Sequence, residues 1–281
     1  MTSERKIWLL SNTASGSYSE SAVDDLSENI RQGGFDLDRT VCFPTDELPG
    51  KAELDDAGVD ILAIFTGDGT INSTTTSLYG WKGAVLPLPG GTMNLLSKKL
   101  HGDVSEAEII ERVSGGDFRK VRMPIVRSGH GDALVGFMGG PATSWYNVRE
   151  AMRDIDIAKM LEEASEAMRE TMQDPQICIA HPDIGSKEGY PLVEVVPTEQ
   201  GLEVIAYNPQ SLGDYLRQGW VTLLRQFREG PHDNLGTFNR LTMQDVANSP
   251  LFLSIDGEPL TGEASEELVL ATAEVDLLAT A

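Results

Sequence analysis

Thr66-Gly67-Asp68-Gly69-Thr70-Ile71-Asn72 is the stretch whose residue types best suit chemistry. Gly67 and Gly69 let a backbone approach an anion with no Cβ in the way. Backbone N–H groups at the start of a helix favour phosphate, and Thr66, Thr70 and Asn72 add short donors. Asp68 is the odd member, because a carboxylate belongs beside phosphates only with a cation between them. It points to Mg²⁺, with Asp68 as the metal-facing group. A bare Gly-Asp-Gly is better read as a tight turn. The flanks shift the balance. Ile61-Leu62-Ala63-Ile64-Phe65 is an unbroken apolar run, expected to be a buried strand of a parallel sheet. A helix is expected over 72–78, ended by Gly80. The glycines then occupy a strand-to-helix turn, where an open α/β sheet places its ligand.

The surrounding elements must position that turn. Strands are expected at 7–11, 39–43 and 84–88. Helices are expected along Ala22, Val23, Leu26 and Ile30, closed by Gly33-Gly34; near 51–57; and over 106–114, capped by Ser105 and stopped by Gly115-Gly116. A second glycine loop, Pro89-Gly90-Gly91-Thr92-Met93-Asn94, opens a helix through Leu95, Leu96 and Leu100. Alone, that loop reads as a helix start with Thr92 as its cap. Two glycine–threonine loops after consecutive strands are a stronger signal. In such a sheet the loops converge on one edge, so Asn12, Thr45, residues 66–72 and Thr92 are expected to line one cleft.

A chain of 281 residues with 40% hydrophobic residues can bury one large core or two ordinary ones. The formal charge of −22 argues against nucleic acid as a partner. Cys42 and Cys178 are expected to be free buried thiols. The start of the chain is polar and runs straight into a strand, and no apolar run is long enough to span a bilayer. The expectation is a cytoplasmic protein. Nothing in the sequence sets its oligomeric state.

From about residue 123 the pattern becomes β-rich, with short strands at 123–127, 134–138 and 177–180 and a hairpin of 192–196 with 202–207. Helical faces are expected at 157–172, with an acidic outer face, and at 212–227. The latter carries Trp220 between Arg217, Arg225 and Arg228. It reads either as a helix packed on a sheet or as one docking at a membrane interface. Arg119-Lys120-Val121-Arg122 reads as strand-edge charge in preference to a phosphate contact. Asp256-Gly257 reads as a type I′ hairpin turn after an apolar strand.

The two glycine loops resemble the Gly-Gly-Asp-Gly-Thr signature and the Pro-x-Gly-Thr-x-Asn loop of the diacylglycerol kinase catalytic domain, and Asp256-Gly257-Glu258 resembles that family's Asp-Gly-Glu motif. The resemblance extends to bacterial lipid kinases and to sphingosine and ceramide kinases. It implies an α/β, Rossmann-like parallel-sheet domain (residues 1–122) followed by a β-rich, sandwich-like domain (residues 123–281). It implies an ATP-dependent kinase that uses Mg²⁺ to phosphorylate a primary hydroxyl of a lipid presented at the inner face of a membrane. Carried over by position, Asn12, Thr45, Thr66, Gly67, Asp68, Gly69, Thr70, Ile71, Asn72, Gly91, Thr92 and Asn94 would bind ATP. Asp68 would orient metal or substrate, Glu258 would accept the proton, and Asp256 would stand beside it as a second catalytic carboxylate.

Departures from the pattern are specific. Thr66 replaces the first glycine, Asn12-Thr13 stands where Asn-Pro is usual, and Leu95 stands where Asp often follows. Glu199-Gln200-Gly201-Leu202 lacks the aspartate of a structural Mg²⁺ site, so no ligands are assigned there. Two alternatives follow. NAD kinase shares the Gly-Gly-Asp-Gly-Thr turn, but its Asn-Glu pair has no counterpart, since Asn94-Leu95 stands instead. A nucleotide-binding regulator that has lost catalysis is the other.

Overall fold

The computed structural model describes residues 5–15, 18–140, 176–207 and 233–281. The helical faces expected at 157–172 and 212–227 lie outside these residues. The chain divides into two compact units: Met1–Met123 with Thr272–Ala281, and Pro124–Ala271. The expected boundary near 122 left everything after it in the second domain. The last ten residues instead belong to the first unit.

The first unit alternates strand and helix: β1 (Lys6–Asn12), α1 (Glu20–Gln32), β2 (Asp36–Phe43), α2 (Lys51–Ala57), β3 (Ile61–Thr66), α3 (Asp68–Ser77), β4 (Ala84–Pro89), α4 (Leu95–His101), α5 (Glu106–Ser114) and β5 (Arg119–Val121). The sheet order is β2-β1-β3-β4, then the C-terminal strand Asp276–Ala279, then β5. β1 to β4 run parallel, the C-terminal strand runs parallel to β4, and β5 pairs with it antiparallel. Every residue of β3 is buried, which is why its sequence shows no alternation. Its apolar side chains Ile61, Ala63 and Phe65 join Ile7, Leu9 and Leu86 against Leu26 and Ile30 of α1 and Ile109 and Val113 of α5. Both helices have serine caps, Ser105 as expected and Ser19 in addition. Ser19 accepts from the Ala22 N–H and Ser105 from the Glu108 N–H. At the sheet edge Arg122 and Lys120 reach Asp276 at 2.8 and 3.8 Å, and Arg119 donates to the Ala281 carbonyl. The basic cluster is therefore engaged with the C-terminal strand, in line with its edge-charge reading.

The second unit is β-rich, as expected. Its strands are β6 (Pro124–Ser128), β7 (Gly131–Ala133), β8 (Phe137–Gly139), β9 (Ile177–His181), β10 (Leu192–Thr198), β11 (Gly201–Tyr207), β12 (Asp233–Phe238), β13 (Arg240–Asp245), β14 (Phe252–Ile255), β15 (Glu258–Thr261) and β16 (Ser265–Thr272). They form two sheets, β12-β11-β10-β8-β14-β15 and β7-β6-β16-β13-β9. Val193, Val195 and Val204 of the first sheet share one core with Met243, Leu268 and Ile177 of the second, so the unit is a sandwich. The hairpin around residues 198–201 forms as expected, with Thr198 opposite Gly201. The single strand expected at 134–138 is broken, because residues 134–136 leave the ladder between β7 and β8. Their N–H groups turn instead to Asp256.

Both cysteines are free, and each is half-buried where full burial was expected. Among the described residues no helix is long and apolar enough to cross a membrane.

Candidate active site

β3 and β4 lie side by side with Thr66 opposite Pro89, so their two glycine turns leave the sheet together. The turns touch backbone to backbone. A Cβ on Gly90 would stand 2.4 Å from the Thr66 nitrogen and 2.6 Å from the Phe65 carbonyl carbon. One on Gly91 would stand 2.7 Å from the Gly67 Cα. No side chain fits between these two backbones, which is the physical reason for glycine there. Gly67 differs, since a Cβ built on it would meet nothing within 4 Å. One side of the paired turns is closed by packing and the other is open.

The helix expected from Asn72 begins four residues earlier, at Asp68, with Gly67 as its N-cap. Asp68, Gly69 and Thr70 are thus the first turn of α3. Glycine costs backbone entropy in a helix but leaves the backbone open to an approaching anion. The N-cap Gly67 has no side chain to cap α3, in contrast to the serine caps of α1 and α5. The positive end of the helix dipole lies at Gly67, whose Cβ position is open, which suits phosphate oxygens.

Three turns are tied together by side chains. The Asn12 amide donates to Thr70 Oγ1 at 3.0 Å, and its carbonyl accepts from the Ala14 N–H. Ser15 Oγ donates to the Gly90 carbonyl at 2.6 Å. Asn94 has a left-handed backbone, φ 54°, and its Oδ1 accepts from the Gly91 N–H at 2.7 Å. Asn is among the few residues that adopt this conformation readily, and its amide holds the second turn in shape. Asp68 is half-buried, with Oδ1 accepting a long 3.4 Å hydrogen bond from the Leu96 N–H. The Asp68 carboxylate therefore bridges the starts of α3 and α4.

The expected residues fall into distinct groups. Asn12, Gly67, Asp68, Thr70, Gly91 and Asn94 are assembled at the paired turns, and Gly69 lies within the same helical turn. Thr92 is exposed at the tip of the second loop. Asn72 is half-buried, and its carbonyl accepts from Thr76 Oγ1. Ile71 is fully buried, so its side chain belongs to the core and only its backbone faces the turn. Thr66 is also fully buried, and its Oγ1 has no partner among the described residues. Its side chain packs inward, so it adds no exposed donor. Thr45 is exposed on the turn after β2, two strands from β3. Asp46 holds that turn by accepting from the Cys42 N–H. Ser15 was not among the expected site residues; its only sequence signal is its place in the polar loop after β1.

Glu258 and Asp256 belong to the second unit. Glu258 is exposed at the first position of β15. Asp256 is 4% exposed, and its carboxylate accepts from the N–H groups of Leu134, Val135 and Gly136 at 2.8 to 3.0 Å. The catalytic role expected for Asp256 does not suit a carboxylate whose two oxygens are both engaged by backbone.

Among the described residues no three His, Cys, Asp or Glu side chains form a metal cluster. Asp68 still fits Mg²⁺, which is commonly held by one or two carboxylates with the rest of its shell from phosphates and water. A cavity of about 350 Å³ lies at the opposite end of the sheet, lined by Arg5, Asp60, Ile61, Lys82 and Phe118 among others. It sits at the amino ends of β1, β3 and β4, away from the glycine turns.

A largely parallel sheet with paired glycine turns and a helix start at Gly67 is an α/β arrangement suited to phosphate. Residues 6–125 match the model of the diacylglycerol kinase catalytic domain, the family that the two glycine loops resemble. The match implies a kinase domain of the lipid kinase type. The whole chain also shares its fold with solved structures. A diacylglycerol kinase from Bacillus anthracis str. Sterne aligns at 12% identity over 99% of this chain and 98% of its own, with a TM-score of 0.60. Two further proteins of that strain, whose assignment as diacylglycerol kinases is provisional, align at 15% identity over 99% of this chain. They cover 96% and 98% of their own lengths, with TM-scores of 0.62 and 0.60. A comparison with curated proteins finds no match.

Proposed function

We propose that the chain is an ATP-dependent lipid kinase, transferring the γ-phosphate to a primary hydroxyl of a diacylglycerol-like or sphingoid lipid presented at a membrane. The observation that carries this reading is the backbone packing of Gly90 and Gly91 against Thr66 and Gly67 beside the start of α3. Phosphoryl transfer is mostly positioning and charge neutralisation, and this arrangement supplies both from backbone. The α3 N–H groups bind phosphate oxygens. Asn12 and Asn94 keep the turns in shape. Asp68 would hold Mg²⁺, which supplies charge neutralisation to the phosphate oxygens when bound. Glu258 takes the proton of the lipid hydroxyl as the new oxygen–phosphorus bond forms and the bond to the leaving ADP breaks.

Incubation of the purified protein with ATP, Mg²⁺ and a panel of lipids tests the reading. The panel is diacylglycerol, monoacylglycerol, a sphingoid base, ceramide and phosphatidylglycerol, with NAD as a further arm. Transfer to one lipid is expected. Transfer to NAD alone, or nucleotide binding without transfer, would replace the reading with one of its rivals. Asp68→Ala and Glu258→Gln are each expected to lower turnover by about 10²- to 10⁴-fold with unchanged thermal melts. Wild-type turnover in both variants would refute their roles.

A further inference from the structure

We infer that Asp256 is a positioning residue that fixes Glu258 by pinning the β14–β15 turn; this rests on the lipid kinase reading for what Glu258 does. β14 and β15 are joined by Asp256-Gly257 alone, and Ile255 pairs with Glu258 across the turn. Both turn residues have positive φ, 49° and 93°, as a type I′ turn requires. Such a turn sets the register but does not anchor the hairpin. β15 is the last strand of its sheet, so Glu258 has a ladder on one side only. An exposed glutamate on an edge strand is poorly placed to meet the tolerance of about 0.5 Å that catalytic groups need.

The Asp256 carboxylate supplies the anchor. Its Oδ2 accepts from the Leu134 N–H at 2.8 Å. Its Oδ1 accepts from Val135 and Gly136 at 2.8 and 3.0 Å. Its own N–H donates to the Gly136 carbonyl at 3.0 Å. These four bonds join the turn to the three residues that immediately precede β8. β8 in turn pairs with β14, Phe137 opposite Ile255 and Gly139 opposite Leu253. The clamp therefore prolongs the β8–β14 contact past the end of the strands and onto the turn itself. Hydrogen bonds from backbone N–H to a charged acceptor are stronger than neutral ones, and their loss would take the carboxylate from one buried and two half-buried donors. Burial to 4% exposure keeps the same carboxylate from reaching a substrate hydroxyl, whereas Glu258, two residues on, is exposed.

The test compares the full chain with Asp256→Asn, Asp256→Ala, Glu258→Gln and the double variant Asp256→Ala/Glu258→Gln. Each is assayed with ATP, Mg²⁺ and dioctanoylglycerol micelles, and amide exchange is followed at residues 134–136 and 257–261. Exchange at both segments is expected to accelerate about tenfold or more in Asp256→Ala. Its kcat is expected to fall about 100-fold with the KM for ATP unchanged, and Asp256→Asn, which keeps the turn and one acceptor oxygen, to recover to within about tenfold of wild type. In the Glu258→Gln background, Asp256→Ala should cost less than about threefold more, because the residue acts through the one already removed. Losses that multiply in the double variant, or equal loss in Asp256→Asn and Asp256→Ala with unaltered exchange, would overturn the inference. If wild type transfers no phosphate to the lipid, the functional reading fails in that arm. The pinning is then judged on exchange alone, and unchanged protection at 257–261 in Asp256→Ala refutes it. Should Asp256→Ala fail to fold, Asp256→Asn takes its place in the cycle: a loss retained in the Glu258→Gln background and unaltered exchange count against the inference, and a loss absorbed with faster exchange supports it.

Discussion

Asp256 and Glu258 stand two positions apart and put a carboxylate to opposite uses. One is buried under three backbone N–H groups and the other is exposed at a strand start. Sequence pattern distinguishes the turn they share, since Asp-Gly after an apolar strand is a local signal. It does not distinguish their roles, because the partners of Asp256 are at least 120 residues away. Ile71 and Thr66 are similar cases. Both lie within the phosphate-loop pattern, and both side chains are fully buried. His101 adds a residue with no sequence signal at all. It is 1% exposed, with Nδ1 3.0 Å from Thr280 Oγ1. Burial pushes its imidazole down from 6.5 to about 4, and the Arg112 charge acts the same way while a backbone hydrogen bond with Pro87 opposes both. The unfolded chain takes up a proton at His101 near pH 6.5 and the folded chain only near pH 4. Stability from this group is therefore present above pH 6.5 and lost as pH falls through that window, by up to about 3 kcal/mol. Urea midpoints for wild type and His101→Gln, taken from pH 7 to pH 4, should converge toward the acid end. Parallel curves would exclude the effect.

The element that matters most is the pair of glycine turns. Gly90→Ala forces a Cβ into the Thr66 and Phe65 backbone, with no flexible side chain to yield. It is expected to destabilise the protein by about 1–3 kcal/mol and to weaken nucleotide binding along with it. Gly67→Ala meets no atom within 4 Å and φ there is an ordinary −73°, so the melting temperature should hold. Nucleotide affinity should nonetheless fall about tenfold or more if phosphate approaches that face. Thermal melts and ATP titration of the two variants separate packing from binding. Equal effects of the two would contradict the closed-and-open arrangement. The sequence located both turns and the strands that lead into them, because buried parallel strands and glycine loops are local signals. It set the start of α3 too late, since Gly69 is a poor helix former by propensity and tertiary context overrides that weak local preference.

At the scale of the whole molecule, the alternating first half and β-rich second half were legible from periodicity. The return of the chain at its end was not. Residues 276–279 form a short strand whose neighbours, β4 and β5, come from residues 84–89 and 119–121. No local pattern marks so distant a pairing. Leu277, Leu278 and Ala279 are each at most 1% exposed, and the strand lies between two others in its sheet. Deletion of residues 276–281 should therefore unfold the first unit instead of trimming it. Loss of its cooperative melt and of ATP binding is the expected result, and a folded, nucleotide-binding truncation would disprove it.

That inserted strand also bears on the order of events during synthesis. Domains usually fold from the N-terminus while the ribosome is still translating. Here β4 waits for a neighbour, Asp276–Ala279, that is made only after the whole second unit. The first unit cannot complete its sheet until the second has been synthesised, so the unit that starts first is not the first to finish.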